Sequence, residues 1–219
     1  DAAAPEMGKE TVLAIAEIDH HVIAGGVLRI RLPDRLVGQA VDGSDDGPPS
    51  QQSGPDPLLS SQWHLANTGQ SGGTPGQDLR AIATWQTTRG EGARVAVIDD
   101  AIEIDHEDLA PNVADYFNYR RPGSPPAPET SNDDHGTPVA GIAVARDDNA
   151  VGGAGVAPRA SLGAYNALAT GATADIADAL NRDFGTTDVY HNSWGSHDDG
   201  TLHAADSSFV AAIQRGIRE

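Results

Sequence analysis

The sequence predicts an α/β fold built on a doubly wound parallel sheet, and three observations carry that expectation. Arg94–Ile98, reading R-V-A-V-I, is a short, almost wholly apolar, β-branched run, as expected of a strand buried on both faces. It stops on two adjacent carboxylates, Asp99 and Asp100, and in open α/β sheets the carboxyl ends of the strands are where ligands bind. Extended and helical patterns then alternate along the chain, which argues for parallel strands joined by crossover helices. At 219 residues there is chain enough for one sizeable domain, or one domain and part of another.

Taken in order, residues 1–41 hold two candidate strands, Thr11–Ile18 and Val27–Leu32, the second alternating apolar positions with Arg29 and Arg31. Two strands are too few to stand alone, so this stretch reads as the tail of an upstream module of β character. Residues 42–55 read as a flexible linker rich in Gly, Pro, Ser and Asp. Asp42, Ser44, Asp46 and Gly47 imitate the start of an EF-hand loop. The twelfth position is Ser53 rather than Glu, and prolines stand where helices should, so no calcium loop is assigned there. Residues 56–219 read as globular. Leu79, Ile82 and Trp85 share one stripe of a helix over 78–88. The strand over 94–98 follows, then a helix over 136–145, a strand over 160–165 and a helix over 173–181. A strand over 188–192 and a helix over 206–218, N-capped by Asp206, complete the series. The chain begins at Asp1, and Phe209, Val210, Ile213 and Ile217 keep helical spacing to its last residues without a C-cap. It is therefore expected to be an N-terminal part of a longer domain, truncated at its C-terminal side.

A net charge of −18 argues against nucleic acid as a partner and favours cationic ligands, calcium or simple solubility. The chain has no cysteine, which excludes disulfides, thiolate metal sites and a cysteine nucleophile. No stretch approaches the ~18 apolar residues of a membrane span.

The chemistry gathers on two stretches. Asp99 ends the predicted strand over 94–98, and His135 opens the predicted helix of D-D-H-G-T-P-V-A-G. A serine hydroxyl is a poor nucleophile until a neutral imidazole accepts its proton, and the imidazole needs a buried carboxylate to fix its tautomer. A strand-end Asp followed by a helix-start His supplies those two parts in the chain order Asp…His…Ser. Gly136 and Gly141 permit close packing around the imidazole.

Four blocks, D-P-L-L-S-S-Q-W-H-L (56–65), A-V-I-D-D-A-I-E-I-D-H-E-D-L (96–109), H-G-T-P-V-A-G…N-A-V-G-G-A-G-V-A (135–157) and V-Y-H-N-S-W-G-S-H-D-D-G (189–200), resemble the subtilisin-fold serine proteases, specifically the kexin/furin branch of proprotein convertases. The resemblance implies a subtilisin-like fold and a serine endopeptidase that cleaves after Arg or Lys, secreted or at the cell surface. It makes Asp99 the triad carboxylate and His135 the general base. Asp100 and Asp133, or in place of the latter Asp134, would line the subsite next to the cleaved residue, and Asp198 would recognise its Arg or Lys side chain. Ser193, Trp194 and Gly195 would offer backbone groups to an extended peptide, the expected partner. A structural calcium would be held by the side chains of Asp56, Asp108 and Asn149 with the carbonyls of Arg146, Val151 and Gly153, an all-oxygen set suited to that ion. A second family calcium site near Asn118 looks degraded, because N-Y-R-R-P-G-S-P-P is basic and Pro-rich.

The chain also departs from the family pattern. Ala101 stands where glycine is usual, Pro138-Val139 replaces Arg-Cys so that disulfide cannot form, and Ser196-His197 replaces Pro-Glu. His197 beside a cation pocket leaves strict paired-basic specificity open. Arg120-Arg121 is the only basic pair and lies inside the domain, so no maturation site is visible before residue 56. The resemblance implies a nucleophilic serine on the order of 150 residues beyond the His, and an oxyanion-hole asparagine that also belongs to that missing part, so these 219 residues alone are expected to be inactive. The competing reading is a non-catalytic, calcium-dependent binding module on a protease fold.

Overall fold

Strand β1 (Arg94–Ile98) is the centre of the molecule, with every residue from Val95 to Ile98 buried. The computed structural model describes residues 54–195, 199–201 and 203–218. The strands and EF-hand-like stretch read from residues 1–53 lie outside the described residues, as do the roles given to Ser196, His197 and Asp198. Among the described residues four parallel strands form one sheet in the order β2 (Val113–Phe117), β3 (Ser161–Tyr165), β1 and β4 (Val189–His191). Val97 of β1 pairs with Ala164 of β3 on one side and His191 of β4 on the other, so the carboxyl ends of all three strands lie together.

Because side chains alternate across a strand, the apolar run of β1 serves two cores at once. Val95 and Val97, with Leu162 and Ala164 of β3, pack against Ala140, Ala143 and Val144 of helix α2 (Gly136–Val144). Ala96, Ile98 and Tyr165 face the opposite way, onto Ile176, Ala179 and Leu180 around helix α3 (Thr173–Ala179) and Ala212 of helix α4 (Ser207–Arg218). Each fully buried aliphatic side chain contributes about 1.5–3 kcal/mol, so β1 is stabilised from both faces. Helices on both faces of a parallel sheet bear out the predicted α/β architecture.

Element boundaries differ in informative places. The helix expected over 78–88 shrinks to α1 (Ala81–Thr84), because Arg80 is left-handed at φ 56° and Asp78 turns back to accept the N–H groups of Asn67 and Arg80. Strand β2 was not anticipated. Its inward positions are Val113, Asp115 and Phe117 while Tyr116 is exposed, so the acid and the tyrosine break the apolar alternation. Asp115 is accommodated because it accepts the Tyr165 hydroxyl (3.0 Å) and pairs with Arg94 (3.3 Å). Asp206 accepts the Ser208 N–H at 2.8 Å, the capping contact expected of it.

Candidate active site

Asp99 follows the last residue of β1 and is held from both sides by backbone. Its N–H donates to the Tyr165 carbonyl (3.0 Å), and its carbonyl accepts from Leu168 N–H (3.1 Å). The side chain is 1% exposed. Burial pushes its carboxyl upward, while hydrogen bonds from His135 and from the Asp100 N–H favour the charged form.

His135 occupies the N-cap position of α2, yet its side chain makes no capping bond. The imidazole is turned instead to Asp99, with Nδ1 3.0 Å from Oδ1 and 3.1 Å from Oδ2. A carboxylate accepts, so Nδ1 carries the proton and Nε2 is left as the acceptor nitrogen of the neutral ring. The Asp99 hydrogen bond, with the charges of Asp99, Asp100 and Asp134, holds the imidazole above its ordinary value against a smaller downward effect of burial. The ring is 54% exposed, so the edge opposite Asp99 is reachable from solvent. Among the described residues no serine hydroxyl contacts it.

Gly136 makes the approach of helix to strand end possible. A β-carbon there would lie 2.4 Å from the Ala101 carbonyl oxygen and 2.7 Å from the Asp99 β-carbon. Thr137 adds a pin, its hydroxyl accepting the Glu103 N–H at 2.9 Å. The three residues His-Gly-Thr thus supply an imidazole, a bare backbone and an acceptor.

The other candidate residues are dispersed around this pair. Asp100 accepts N–H groups from Gly136 (2.8 Å) and His135 (3.1 Å). Asp133 is buried in a two-point pair with Arg120 (2.8 and 3.2 Å) and accepts the N–H groups of Glu129 and Thr130, which hold its carboxyl well below the usual range. Its charge is therefore already paired, while neighbouring Asp134 is exposed. Ser193, Trp194 and Gly195 follow β4, beside the end of β1. The Trp194 indole N–H donates to the Ile98 carbonyl at 2.8 Å, tying this segment to the residue before Asp99. Its ring packs on Phe209 of α4. Neither contact was legible beforehand. His191 was also missed: its Nε2 is 2.6 Å from the Ser193 hydroxyl, and burial holds it below an ordinary imidazole, with Asp99 and His135 near enough to act on it. Its register opposite Val97 puts it on the α2 face of the sheet.

The residues assigned to calcium converge at the far end of α2. Asp56, Asp108 and Asn149 are all buried. Asn149 donates to Asp108 (2.8 Å), Asp56 accepts the N–H groups of Asp148 and Asn149, and Gly153 N–H donates to Asp108 (3.1 Å). Arg146 N–H donates to the Asp108 carbonyl, and Val151 N–H to the Asn149 side chain (3.0 Å). Burial, Asp148 and Asp108 all push the Asp56 carboxyl upward. Gly152, at φ +42°, lies so close to Asp108 that a β-carbon would fall 1.9 Å from its Oδ2. Two buried, mutually repelling carboxylates and an amide are the oxygen chemistry a hard divalent cation takes, and in this structure each of their side-chain oxygens accepts an N–H instead. Among the described residues no cluster of three or more His, Cys, Asp or Glu side chains forms a metal site.

Comparison with known proteins points one way. A model described as the subtilase family (Peptidase_S8) matches residues 90–218. The chain is 35% identical over 168 residues to the dibasic-processing endoprotease of Schizosaccharomyces pombe, covering 74% of this chain and 23% of that protein. It is 35% identical over 173 residues to human neuroendocrine convertase 2, covering 75% and 27%. The solved serine protease of Aeromonas sobria superposes with a TM-score of 0.64 at 33% identity, covering 78% of this chain and 32% of that one. The chain spans about a quarter of the length of these curated relatives.

Proposed function

Since the chain belongs to the subtilase family of peptidases, with relatives among the kexin-like convertases, we propose that it is the acid–base half of a serine endopeptidase that cleaves peptides after Arg or Lys. The observation that carries this reading is the hydrogen-bonded contact of buried Asp99 with His135 Nδ1. Asp99 fixes the tautomer and stabilises the imidazolium. The Nε2 edge takes the proton of a serine hydroxyl from the remainder of the protein as that oxygen attacks the carbonyl carbon. It then returns the proton to the departing amine. Ser193, Trp194 and Gly195 line an extended peptide with backbone groups, as a strand added beside β4. A cationic side chain entering this cleft loses water, and acidic residues offset that loss while repelling acidic peptides. Asp198 is the proposed partner of the Arg or Lys side chain. Asp133 contributes less than its position promises, because Arg120 already occupies it.

Calcium, when bound to Asp56, Asp108 and Asn149 with the carbonyls of Arg146, Val151 and Gly153, would neutralise the two buried acids. It would also pin the strap at residues 54–58 to the loop after α2. The proposed setting is the cell surface or exterior. Among the described residues no helix is long and apolar enough to cross a membrane. The binding-module reading is disfavoured because a module that only binds peptides has no use for an imidazole whose tautomer a buried acid fixes. The test is turnover of an arginyl peptide by the full-length protein. Activity abolished by His135→Ala and weakened by Asp198→Ala supports the proposal, and an Asp198→Ala enzyme with unchanged arginine preference refutes the pocket.

A further inference from the structure

Helix α2 starts without a cap of its own. His135 stands at the N-cap position, where a side chain ordinarily accepts an N–H of the first turn, but its ring is committed to Asp99. The first N–H groups still need acceptors. They find them 35 and 36 residues earlier in the chain, where Asp100 takes the His135 N–H on Oδ2 (3.1 Å) and the Gly136 N–H on Oδ1 (2.8 Å). Asp100 also accepts the Ala101 N–H on Oδ1, and its own N–H donates to Asp99 Oδ1 at 2.8 Å. Two successive acids therefore hold one residue from two sides, Asp99 gripping the imidazole and Asp100 gripping the backbone that bears it. Gly136 and Thr137 let the helix start come close enough for both grips to form. A carboxylate at a helix N-terminus also meets the positive end of the helix dipole, which favours this placement.

We infer that Asp100 is a positioning residue for His135, imported from the strand end to cap the helix that carries the base, rather than an acid kept free to read the substrate. The inference rests on His135 acting as the general base. It requires the Asp100 contribution to be independent of the side chain that precedes the cleaved residue in the peptide. It also requires the contribution to depend on hydrogen-bond acceptance more than on charge. Asparagine keeps one of the two acceptor oxygens, enough for the Gly136 N–H but not for the His135 N–H as well, whereas alanine keeps neither.

The experiment compares Asp100→Ala and Asp100→Asn in the full-length protein on two arginyl peptides that differ only in having lysine or alanine before the arginine. A displacement of about 1 Å at a reacting group costs on the order of 100-fold in rate, so kcat of the alanine variant should fall about 10- to 100-fold on both peptides, with KM little changed. The asparagine variant should recover part of that loss, since it keeps one acceptor of two, and its acid limb should move to lower pH because one charge that holds the imidazole up is gone. Hydrogen exchange at the His135 and Gly136 amides should speed up in the alanine variant, a readout that does not need turnover. If the loss is confined to the lysine-containing peptide and asparagine behaves like alanine, Asp100 reads the substrate and the inference is wrong. Unchanged amide exchange in both variants overturns it as well. If the wild-type protein shows no peptide turnover, the proposed function fails, and the exchange data still decide the role of Asp100. Should Asp100→Ala not fold, the asparagine variant decides it by two measurements: kcat on both peptides, and exchange at the two amides.

Discussion

Replacing Gly136 with alanine sets a helix-favouring change against a steric one, and the structure says which wins. Alanine gains at most about 1 kcal/mol over glycine in a helix. Against it, the new methyl would sit 2.4 Å from the Ala101 carbonyl oxygen, 2.7 Å from the Asp99 β-carbon and 3.2 Å from the Ala101 carbonyl carbon. Neither backbone nor the first carbon of a side chain can swing aside, so the helix start must retreat. Restoring an ordinary contact of about 3.4 Å from 2.4 Å needs a shift of about 1 Å. Overpacking of this kind costs about 1–3 kcal/mol of stability, enough to cancel the propensity gain. A shift of that size lengthens the 3.0 Å contact between His135 Nδ1 and Asp99, and in rate it is worth on the order of 100-fold. The assay is kcat/KM of the full-length protein carrying Gly136→Ala, with thermal unfolding measured alongside. A variant with wild-type kcat/KM and an unchanged or raised Tm would show that the bare Cα at 136 is not what brings helix and strand end together.

Other outcomes follow from the same geometry. Trp194→Phe keeps the packing on Phe209 but loses the indole bond to the Ile98 carbonyl; it should cost about 1 kcal/mol in chemical denaturation and raise KM for extended peptides more than for short ones. Activity should fall on acidification with an apparent pKa above the ordinary imidazole value of 6.5, because a base held up by Asp99 is lost as pH drops through its raised value. A pH–rate profile of kcat/KM checks this. Asp133, held down by Arg120, stabilises the fold above its unfolded value near 3.9 and loses that contribution as pH falls through its lowered folded value. Arg120→Ala should therefore move acid unfolding to higher pH. Calcium at about 100 times its Kd should add about 2.7 kcal/mol and raise Tm, while Gly152→Ala, which sets a methyl against Asp108, should abolish that response in a thermal shift measurement.

How legible this was in the sequence depended on whether a residue's partner lay within a periodic pattern. The run Val95–Ile98 announced a doubly buried strand because apolar residues on both faces leave no other environment, and the alternation of strands with helices bore out as a parallel sheet. Strand β2 escaped because its inward face carries Asp115, tolerated only beside Tyr165 and Arg94, residues distant in sequence. At the site, Asp99 and His135 were readable as types in an order, and the structure brings them together. The engagement of Asp133 with Arg120 was not readable. Thirteen positions separate them, and Arg120 stood out only as half of the chain's one basic pair. The capping work of Asp100 was hidden for a related reason: helix caps are sought within a few residues, and this one comes from 35 residues upstream. His191 lies inside the block 189–200 but had no role assigned there; only its register beside Val97 places it on the face that carries α2.

Whether His135, oriented by Asp99, moves the proton in peptide hydrolysis is decided by single-turnover cleavage of an arginyl peptide, run on the full-length protein and on its His135→Ala variant. If it does, the variant loses about 10⁴-fold or more in rate while peptide binding is retained. A variant that cleaves at close to the wild-type rate would mean that the proton is carried by some other group.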